Sequence, residues 1–292
     1  MNAPLLALLL LLGSGGVALA QQATTTTGSP GRQMEVTADN GIEWNKDKKT
    51  YVARGNAQVK RGDFTVRGAV LTAHYRDKQD GKSEIYRVEA SGGVVLKNGE
   101  DTARGDHAVY DVDRKVLTLT GNDLSYVSSN SKITARDSLE YWEIQRTAVA
   151  RGDAVAVRQD DTVKADMLVG YFEDRPRTDN PTRTRRELAR IDAIGNVTIV
   201  NKDNTAKAAR GTYDTGTKQA QLTGGVEILR GNDRLNGERA EVNMSTGVYR
   251  LLPGAAAPGT PGSGGRVTGT ITPDGVTSGP ARTPQQPQPQ GR

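Results

Sequence analysis

One short pattern recurs along the chain roughly every thirty residues. Each copy has the form Thr-x-x-(Ala/Gly), followed after five to seven residues by an aromatic side chain, a polar turn and a second segment with a glycine bend. Copies begin at Val36, Thr65, Thr102, Ile133, Val163, Thr205 and Leu235, and the bends lie at Gly55, Gly93, Gly121, Gly152, Gly195 and Gly225. A fixed period of this length predicts one supersecondary unit stacked on copies of itself.

Alternating hydrophobicity predicts that these copies are β-strands. Apolar residues occupy every second position, with few exceptions, in residues 36–44, 133–141 and 163–171. Alternation of apolar and polar residues is typical of a sheet with one face buried and the other exposed to solvent. The best helical candidate, residues 185–191, is one or two turns long, so we expect an all-β protein.

The two ends of the chain lie outside the repeat. Residues 4–20 carry no charge, and Ala18-Leu19-Ala20 precedes Gln21, which predicts a secretory signal peptide over residues 1–20; an uncleaved anchor is the alternative. Residues 21–33 are expected to be a flexible lead-in, and residues 253–292, rich in Pro, Gly and Gln, a disordered tail in which only residues 266–271 favour a strand. The folded domain is thus predicted over residues 34–252.

Composition limits how the domain can be stabilised and which partners it can bind. The chain has no cysteine, so an exported domain would hold no disulfide, and it has only two Trp and two Phe, which favours an extended, folded-over sheet over a compact core. The net charge of +5 is spread along the chain rather than gathered in a basic stripe, so we expect no nucleic-acid partner.

Catalytic and metal-binding patterns are weak. His74 and His107 are the only histidines and lack metal-ligand spacing. Carboxylates recur at nearly the same repeat position, at Asp39, Asp106, Asp137, Asp166 and Glu238, which predicts a ladder of similar solvent-facing residues rather than the two distinct carboxyl groups of a glycosidase. We expect neither an enzyme nor a cofactor.

An arginine-rich insert over residues 173–187 interrupts the period. It carries five arginines, at 175, 177, 183, 185 and 186. It is either a solvated loop that extends one hairpin or an arginine cluster that binds phosphates, because the guanidinium fork matches phosphate oxygens.

Several of these motifs resemble the OstA-like family of lipopolysaccharide-transport proteins. They are the opening residues 36–45, the Ala-Asp-x-x-x-x-Tyr strand at 165–171, and the Gly-Asn-(Ala/Val)-x-(Val/Ile) bends at 55–59 and 195–199. The resemblance covers residues 34–252. The chain departs from it at the arginine-rich insert, in the tail, and at Gly68-Ala69, where Ala-Asp is expected.

The resemblance implies a β-jellyroll folded over like a taco, with about 14–16 antiparallel strands and both ends open. One face would form a trough for the acyl chains of lipid A, although a closed core remains the alternative for each residue. The implied trough wall consists of Val36, Ala38, Ile42, Trp44, Tyr51, Ala53, Ile133, Ala135, Leu139, Tyr141, Val163, Ala165, Met167, Val169 and Tyr171.

The resemblance also implies a periplasmic protein that bridges two membranes. Edge strands at residues 36–44 and 241–252 would pair with an inner-membrane-anchored LptC-like partner, an outer-membrane LptD-like translocon and further copies of the chain, head to tail. Cleavage after Ala20 argues against the membrane-anchored relative, and the lack of a predicted second domain argues against the translocon itself. A secreted repeat-β protein that binds or cleaves polysaccharide is the alternative from another class.

Overall fold

The computed structural model describes residues 34–176, 184–254 and 266–271, and within these ranges all regular structure is β. Eighteen strands form one sheet, and every pairing is antiparallel. They are β1 Glu35–Thr37, β2 Ile42–Asn45, β3 Thr50–Arg61, β4 Phe64–Asp77, β5 Ser83–Asn98, β6 Asp101–Asp111, β7 Val116–Thr120, β8 Ser125–Val127, β9 Lys132–Thr134, β10 Ser138–Trp142, β11 Thr147–Arg158, β12 Asp161–Pro176, β13 Thr184–Val200, β14 Thr205–Asp214, β15 Gln219–Arg230, β16 Asp233–Asn243, β17 Val248–Leu252 and β18 Thr268–Thr270.

Four of the long segments are each split into two strands. Strands β1 and β2 both pair with β3, β7 and β8 with β6, β9 and β10 with β11, and β17 and β18 with β16. With each split pair taken as one, the eighteen strands make fourteen segments. Each segment pairs with the next along the chain, so the sheet is a meander. The prediction of an all-β jellyroll is confirmed.

The sheet bends along a line that crosses the middle of its segments. There the register shifts, and glycines adopt left-handed backbone conformations, with φ of 79° at Gly55 and Gly152 and 77° at Gly195. Left-handed conformations favour glycine because it has no Cβ. We call this line the crease.

The crease is the most deeply buried part of the molecule. The first apolar residues after the six bends are only 0–1% exposed: Ala57, Val94, Leu124, Ala154, Val197 and Val226. Since the described ranges contain no helix or second sheet, the folded-over sheet itself must cover these side chains.

Polar pairs hold the outer side of the crease. The amide of Asn56 donates to Asp39 at 2.6 Å, the backbone N–H of Asn122 to Asp106 at 2.8 Å, and the amide of Asn196 to Asp166 at 3.0 Å. The predicted carboxylate ladder thus includes bracing residues: the side chains are accessible, but three of them secure a neighbouring bend.

At the crease, neighbouring strands have residues without a cross-strand partner, and their number differs from one strand to the next. Strands β3, β5, β11, β13 and β15 place two there, whereas β4, β6, β12, β14 and β16 place one. Successive side chains of a strand point to opposite faces. One unpaired residue at the crease therefore moves the inward positions from odd to even residue numbers or the reverse, whereas two unpaired residues leave them unchanged. In β12, Asp166 is that single residue, so Val163 shares a face with Leu168 rather than with Met167.

The predicted boundaries need two adjustments. Strands β12 and β13 continue into the arginine-rich insert, where Glu173 pairs with Glu187, so its described part is a paired hairpin. The strand favoured within residues 266–271 is present as β18, and the sheet therefore extends beyond residue 252. The predicted signal peptide, the lead-in over residues 21–33, residues 177–183 and tail residues 255–265 and 272–292 lie outside the described residues.

Candidate functional site

One face of the sheet, here called the inner face, carries the apolar clusters of the protein. Three rows of cross-strand partners cross it, each with one residue from every segment. The central row is Ile42, Ala53, Leu71, Ala90, Ala108, Leu119, Leu139, Ala150, Leu168, Ala193, Gly211, Leu222, Ala240 and Leu251. The wall row, beyond the crease, is Val36, Val59, Val66, Leu96, Ala103, Tyr126, Ile133, Ala156, Val163, Ile199, Ala206, Ile228, Leu235 and Gly269. The aromatic row is Trp44, Tyr51, Ala73, Val88, Tyr110, Leu117, Tyr141, Ala148, Gly170, Ile191, Tyr213, Ala220, Val242 and Tyr249.

We call the inner face between the wall row and the aromatic row the groove, and the central row its floor. Ten members of the central row are 1–6% exposed, and leucines stand mostly next to alanine or glycine. Large side chains beside small ones fill the space between neighbouring strands without overlap.

The wall row and the aromatic row form the two sides of the groove and are accessible at several positions. Ile133, Val163 and Ile199 of the wall row are half-buried, as are Tyr51 and Tyr213 of the aromatic row. The crease and the ten buried floor residues are therefore structural core, whereas the half-buried positions of the two sides, and Leu139 of the floor, present apolar surface that other molecules can contact.

The N-terminal end of the groove is open and aromatic. Trp44 stacks on Tyr51 with ring centroids 6.0 Å apart, and its Nε1 donates to the Tyr75 hydroxyl at 2.9 Å. Trp44 and Ile42 nevertheless remain 45% and 56% exposed, because only one neighbouring segment covers the end of the sheet.

The C-terminal end is open in the same way. Val248 and Tyr249 of β17 are exposed, and Ile271, just after β18, is 70% exposed. Apolar side chains thus continue to both edges of the sheet.

A polar cluster lies half-way along the aromatic row. It borders the side of the groove formed by that row, which we call the rim. The Tyr110 hydroxyl lies 3.5 Å from the buried Glu143 carboxylate, and Arg186 donates from Nη1 to the Tyr141 hydroxyl at 2.8 Å. Burial, and then Glu143, raise the pKa of Tyr110 well above its ordinary value, so the phenol stays neutral. Asp174 connects Arg186, at 3.1 Å, to Arg146, at 2.8 Å. The arginine-rich hairpin therefore touches the rim of the groove.

Twelve of the fifteen predicted wall residues lie on the inner face. Val36, Ile133 and Val163 are in the wall row, Ile42, Ala53 and Leu139 in the central row, Trp44, Tyr51 and Tyr141 in the aromatic row, and Ala38, Ala135 and Ala165 pack in the clusters beside the crease.

The other three, Met167, Val169 and Tyr171, lie on the outer face. The sequence suggested one unbroken alternation from Val163 to Tyr171, but the single crease residue Asp166 reverses it. Val169 stands in an outer row between Val149 and Asp192, and the Tyr171 ring faces the Arg190 guanidinium at 4.3 Å. After Asp166 the inward positions of β12 are Leu168 and Gly170, which the sequence pattern did not reveal.

Comparison with protein families identifies the fold's relatives. Residues 35–141 and again 132–248 match the model of the LptA/(LptD N-terminal domain) LPS transport proteins. The chain belongs to this family. The two matches begin 97 residues apart, at 35 and 132, and the same spacing relates Val36 to Ile133 and Trp44 to Tyr141 within the rows. Membership places the chain among lipopolysaccharide-transport proteins and implies contacts within the transport complex.

Other comparisons add little. The crystal structure of LptH from Pseudomonas aeruginosa, described as the LptA homologous periplasmic component of the lipopolysaccharide transport device, is similar at 17% identity; the match covers 49% of this chain and 78% of LptH, with a TM-score of 0.22. No curated protein sequence matches the chain.

None of the described residues forms a helix long and apolar enough to cross a membrane. Nor do three His, Asp or Glu side chains in those ranges come together as metal ligands.

Proposed function

We propose that this protein is the LptA-like periplasmic member of its family. It binds lipopolysaccharide with the acyl chains of lipid A in the groove, and it bridges the inner- and outer-membrane transport complexes. The observation that carries this proposal is the continuity of the three rows, which line the inner face from one edge of the sheet to the other. Such a lining suits an elongated apolar ligand that moves along the sheet.

Burial of acyl chains supplies the driving force. Each CH₂ group removed from water contributes about 0.8 kcal/mol, so a chain of a dozen carbons contributes on the order of 10 kcal/mol. The accessible sides, such as Ile133 and Val163, offer the contact surface, whereas the floor provides rigidity.

The rim suits the polar part of the same ligand. Lys46 lies 4.8 Å from the Trp44 ring centroid, and Arg186 contacts Tyr141, so cationic groups border the aromatic row. Sugars and phosphates would stay in water at this rim, where guanidinium and ammonium groups attract phosphate.

The two edges supply the bridging contacts. Among the described strands, β1 and β2 pair only with β3, and β17 and β18 only with β16, so each end of the sheet has an edge with no described strand beside it. Such edges bind other strands by β-augmentation. The predicted C-terminal edge over residues 241–252 is narrower than expected, because Glu241–Asn243 already have neighbours on both sides. LptC-like, LptD-like and identical chains are the proposed partners.

Site-specific photo-crosslinking tests the groove. A photoreactive residue at Leu139 should crosslink to lipopolysaccharide, and unlabelled lipopolysaccharide should suppress the product. The matched control is Lys164, an exposed outer-face residue next to Val163. Equal crosslinking from Leu139 and Lys164 would contradict the proposal. Glycan turnover without lipid crosslinking would instead favour the polysaccharide-acting alternative.

A further inference from the structure

The last segment of the sheet is assembled differently from the other split segments. The two strands of the first three split segments are joined directly across the crease, by residues 38–41, 121–124 and 135–137. In the last one, β17 ends at Leu252 and β18 begins only at Thr268. The second half of this segment therefore comes from the tail.

With strand β18, the sheet ends at the same segment on both sides of the crease. β17 pairs with residues 239–243 of β16 on the aromatic side of the crease, and β18 pairs with residues 234–236 on the wall side. Without β18, the wall side would end one strand earlier than the aromatic side. With β18, both sides of the groove end at the fourteenth segment.

In the middle of the chain, one split segment pairs with another along both of its strands. There β10 pairs with β7, with Leu139 opposite Leu119, and β9 pairs with β8, with Ile133 opposite Tyr126. The segment of β9 and β10 corresponds to β1 and β2 by the 97-residue spacing of the two family matches. The chain thus contains an intramolecular example of a β1/β2-type segment docked on a two-strand edge.

The exposure of β18 points to an unfilled contact. Its three residues are exposed, and the flanking Val267 and Ile271 are 41% and 70% exposed. A three-residue strand with so little burial gains little from its own domain. No described strand lies on the side of β18 opposite β16, where a neighbouring strand would pair.

We propose that β18 is a partner-binding strand, which completes the C-terminal edge so that it accepts the β1/β2 edge of a second copy of this chain. The inference rests on the proposed bridging function and adds the tail to its interface. Continuation of the rows sets the register: Leu251 lies opposite Ile42 of the second copy, Tyr249 opposite Trp44, and Gly269 opposite Val36. The wall row then continues through β18 into the next molecule.

Disulfide trapping tests this register, since the chain has no native cysteine. One full-length protein carries Gly269→Cys and the other carries Val36→Cys. Paired positions on adjacent antiparallel strands lie about 4.5–5.5 Å apart at Cα, within the range for a disulfide. We expect the mixed pair to form a heterodimer faster than Val36→Cys mixed with Gly275→Cys, a tail control outside β18. Equal rates for the two mixtures would overturn the register.

Strand-breaking substitutions test the role of β18 separately. Thr268→Pro with Gly269→Pro removes two backbone N–H groups, and Thr277→Pro with Ser278→Pro is the matched control further along the tail. In sedimentation experiments, the first variant should self-associate roughly tenfold more weakly, the equivalent of one or two net backbone hydrogen bonds. Self-association equal to that of the control, or absent from the unmodified chain, would refute the proposal.

Lipopolysaccharide crosslinking from Leu139 in the same variants separates the two ideas. Retained crosslinking with weakened self-association supports β18 as an interface strand. Retained crosslinking with unchanged self-association rejects β18 but leaves the groove proposal standing. Loss of crosslinking in the unmodified chain rejects the groove itself, and with it the interface inferred here.

Discussion

The side-chain amide of Asn196 lies 3.0 Å from both carboxylate oxygens of Asp166, one segment away. Asn196 has a left-handed backbone, with φ of 48°, directly after Gly195. Where the neighbouring crease residue is alanine instead, as at Ala69 and Ala209, the bend consists of two glycines, Gly92-Gly93 and Gly224-Gly225. At these bends the residue after or before the left-handed glycine therefore matches the crease residue beside it, asparagine beside aspartate and glycine beside alanine.

This matching predicts a specific cost for a methyl group at Gly92. A Cβ there would lie 2.6 Å from the Cβ of Ala69, and φ is 79°, whereas Gly99 has φ of 59° and open space. We expect Gly99→Ala to destabilise the fold by about 1 kcal/mol through backbone strain alone, and Gly92→Ala by about 2–4 kcal/mol through strain plus overlap. Urea unfolding measures both.

A second substitution isolates the overlap at Gly92. Ala69→Gly removes the methyl group that the new side chain would meet, so the double variant should recover the part of the loss that exceeds Gly99→Ala. No recovery would mean that the cost at Gly92 comes from the backbone conformation and not from the contact.

The reversal of alternation in β12 predicts different ligand contacts from two apolar side chains four residues apart. Val163 lies on the inner face and Met167 on the outer face, where its Sδ is 3.0 Å from Arg151 Nη1. Photoreactive residues at these positions should crosslink to lipopolysaccharide from 163 at least about tenfold more efficiently than from 167. Comparable yields would contradict the assignment of faces.

Charge at the N-terminal end should impair function more than stability. Ile42 is mostly exposed, so Ile42→Asp should change the free energy of unfolding by less than about 1 kcal/mol. The same carboxylate would be desolvated by an acyl chain or by a docked strand, so lipopolysaccharide binding or partner docking should weaken at least about tenfold. The neighbouring outer-face change Glu43→Ala serves as control, and unchanged binding and docking by folded Ile42→Asp would count against the groove.

Glu140 predicts an acid-sensitive part of stability. Desolvation raises its pKa, but hydrogen bonds from Arg151, Trp142 and Ser138 outweigh that effect and lower the pKa below 4.5. A lowered folded-state pKa stabilises the fold above pH 4.5, and this contribution is lost as pH falls through the folded value. Glu140→Gln should cost about 1 kcal/mol at pH 7, and the difference from the unmodified chain should shrink in acid, as urea unfolding from pH 7 to pH 3 would reveal. A difference independent of pH would exclude this origin.

The strands and the inward face of most segments were predictable from the sequence, because alternation is visible wherever a segment keeps its parity. Residues 36–44 and 133–141 keep it, and all eight of their predicted wall residues face inward. In β12 the residues after Asp166 are apolar on both parities, so only the register reveals the reversal.

The division between core and groove was not predictable. Ala57 and Val163 are both apolar residues of inward parity, yet Ala57 is fully buried in the crease and Val163 is half-exposed on the wall. That difference depends on the distance from the fold line, which is a property of the bent sheet. Likewise, the sequence showed acidic residues at a repeated position, but the bracing role of Asp39 and Asp166 depends on an asparagine one segment away.

The meander has a further consequence for how such proteins vary in size. Each described segment forms strand pairs only with the one before and the one after, and the described first and last segments do not pair with each other. Nothing in this arrangement closes on itself, so no internal constraint sets the number of segments. Gene duplication could lengthen or shorten the structure in steps of adjacent segments, and each step would extend all three rows while leaving the remaining contacts as they are.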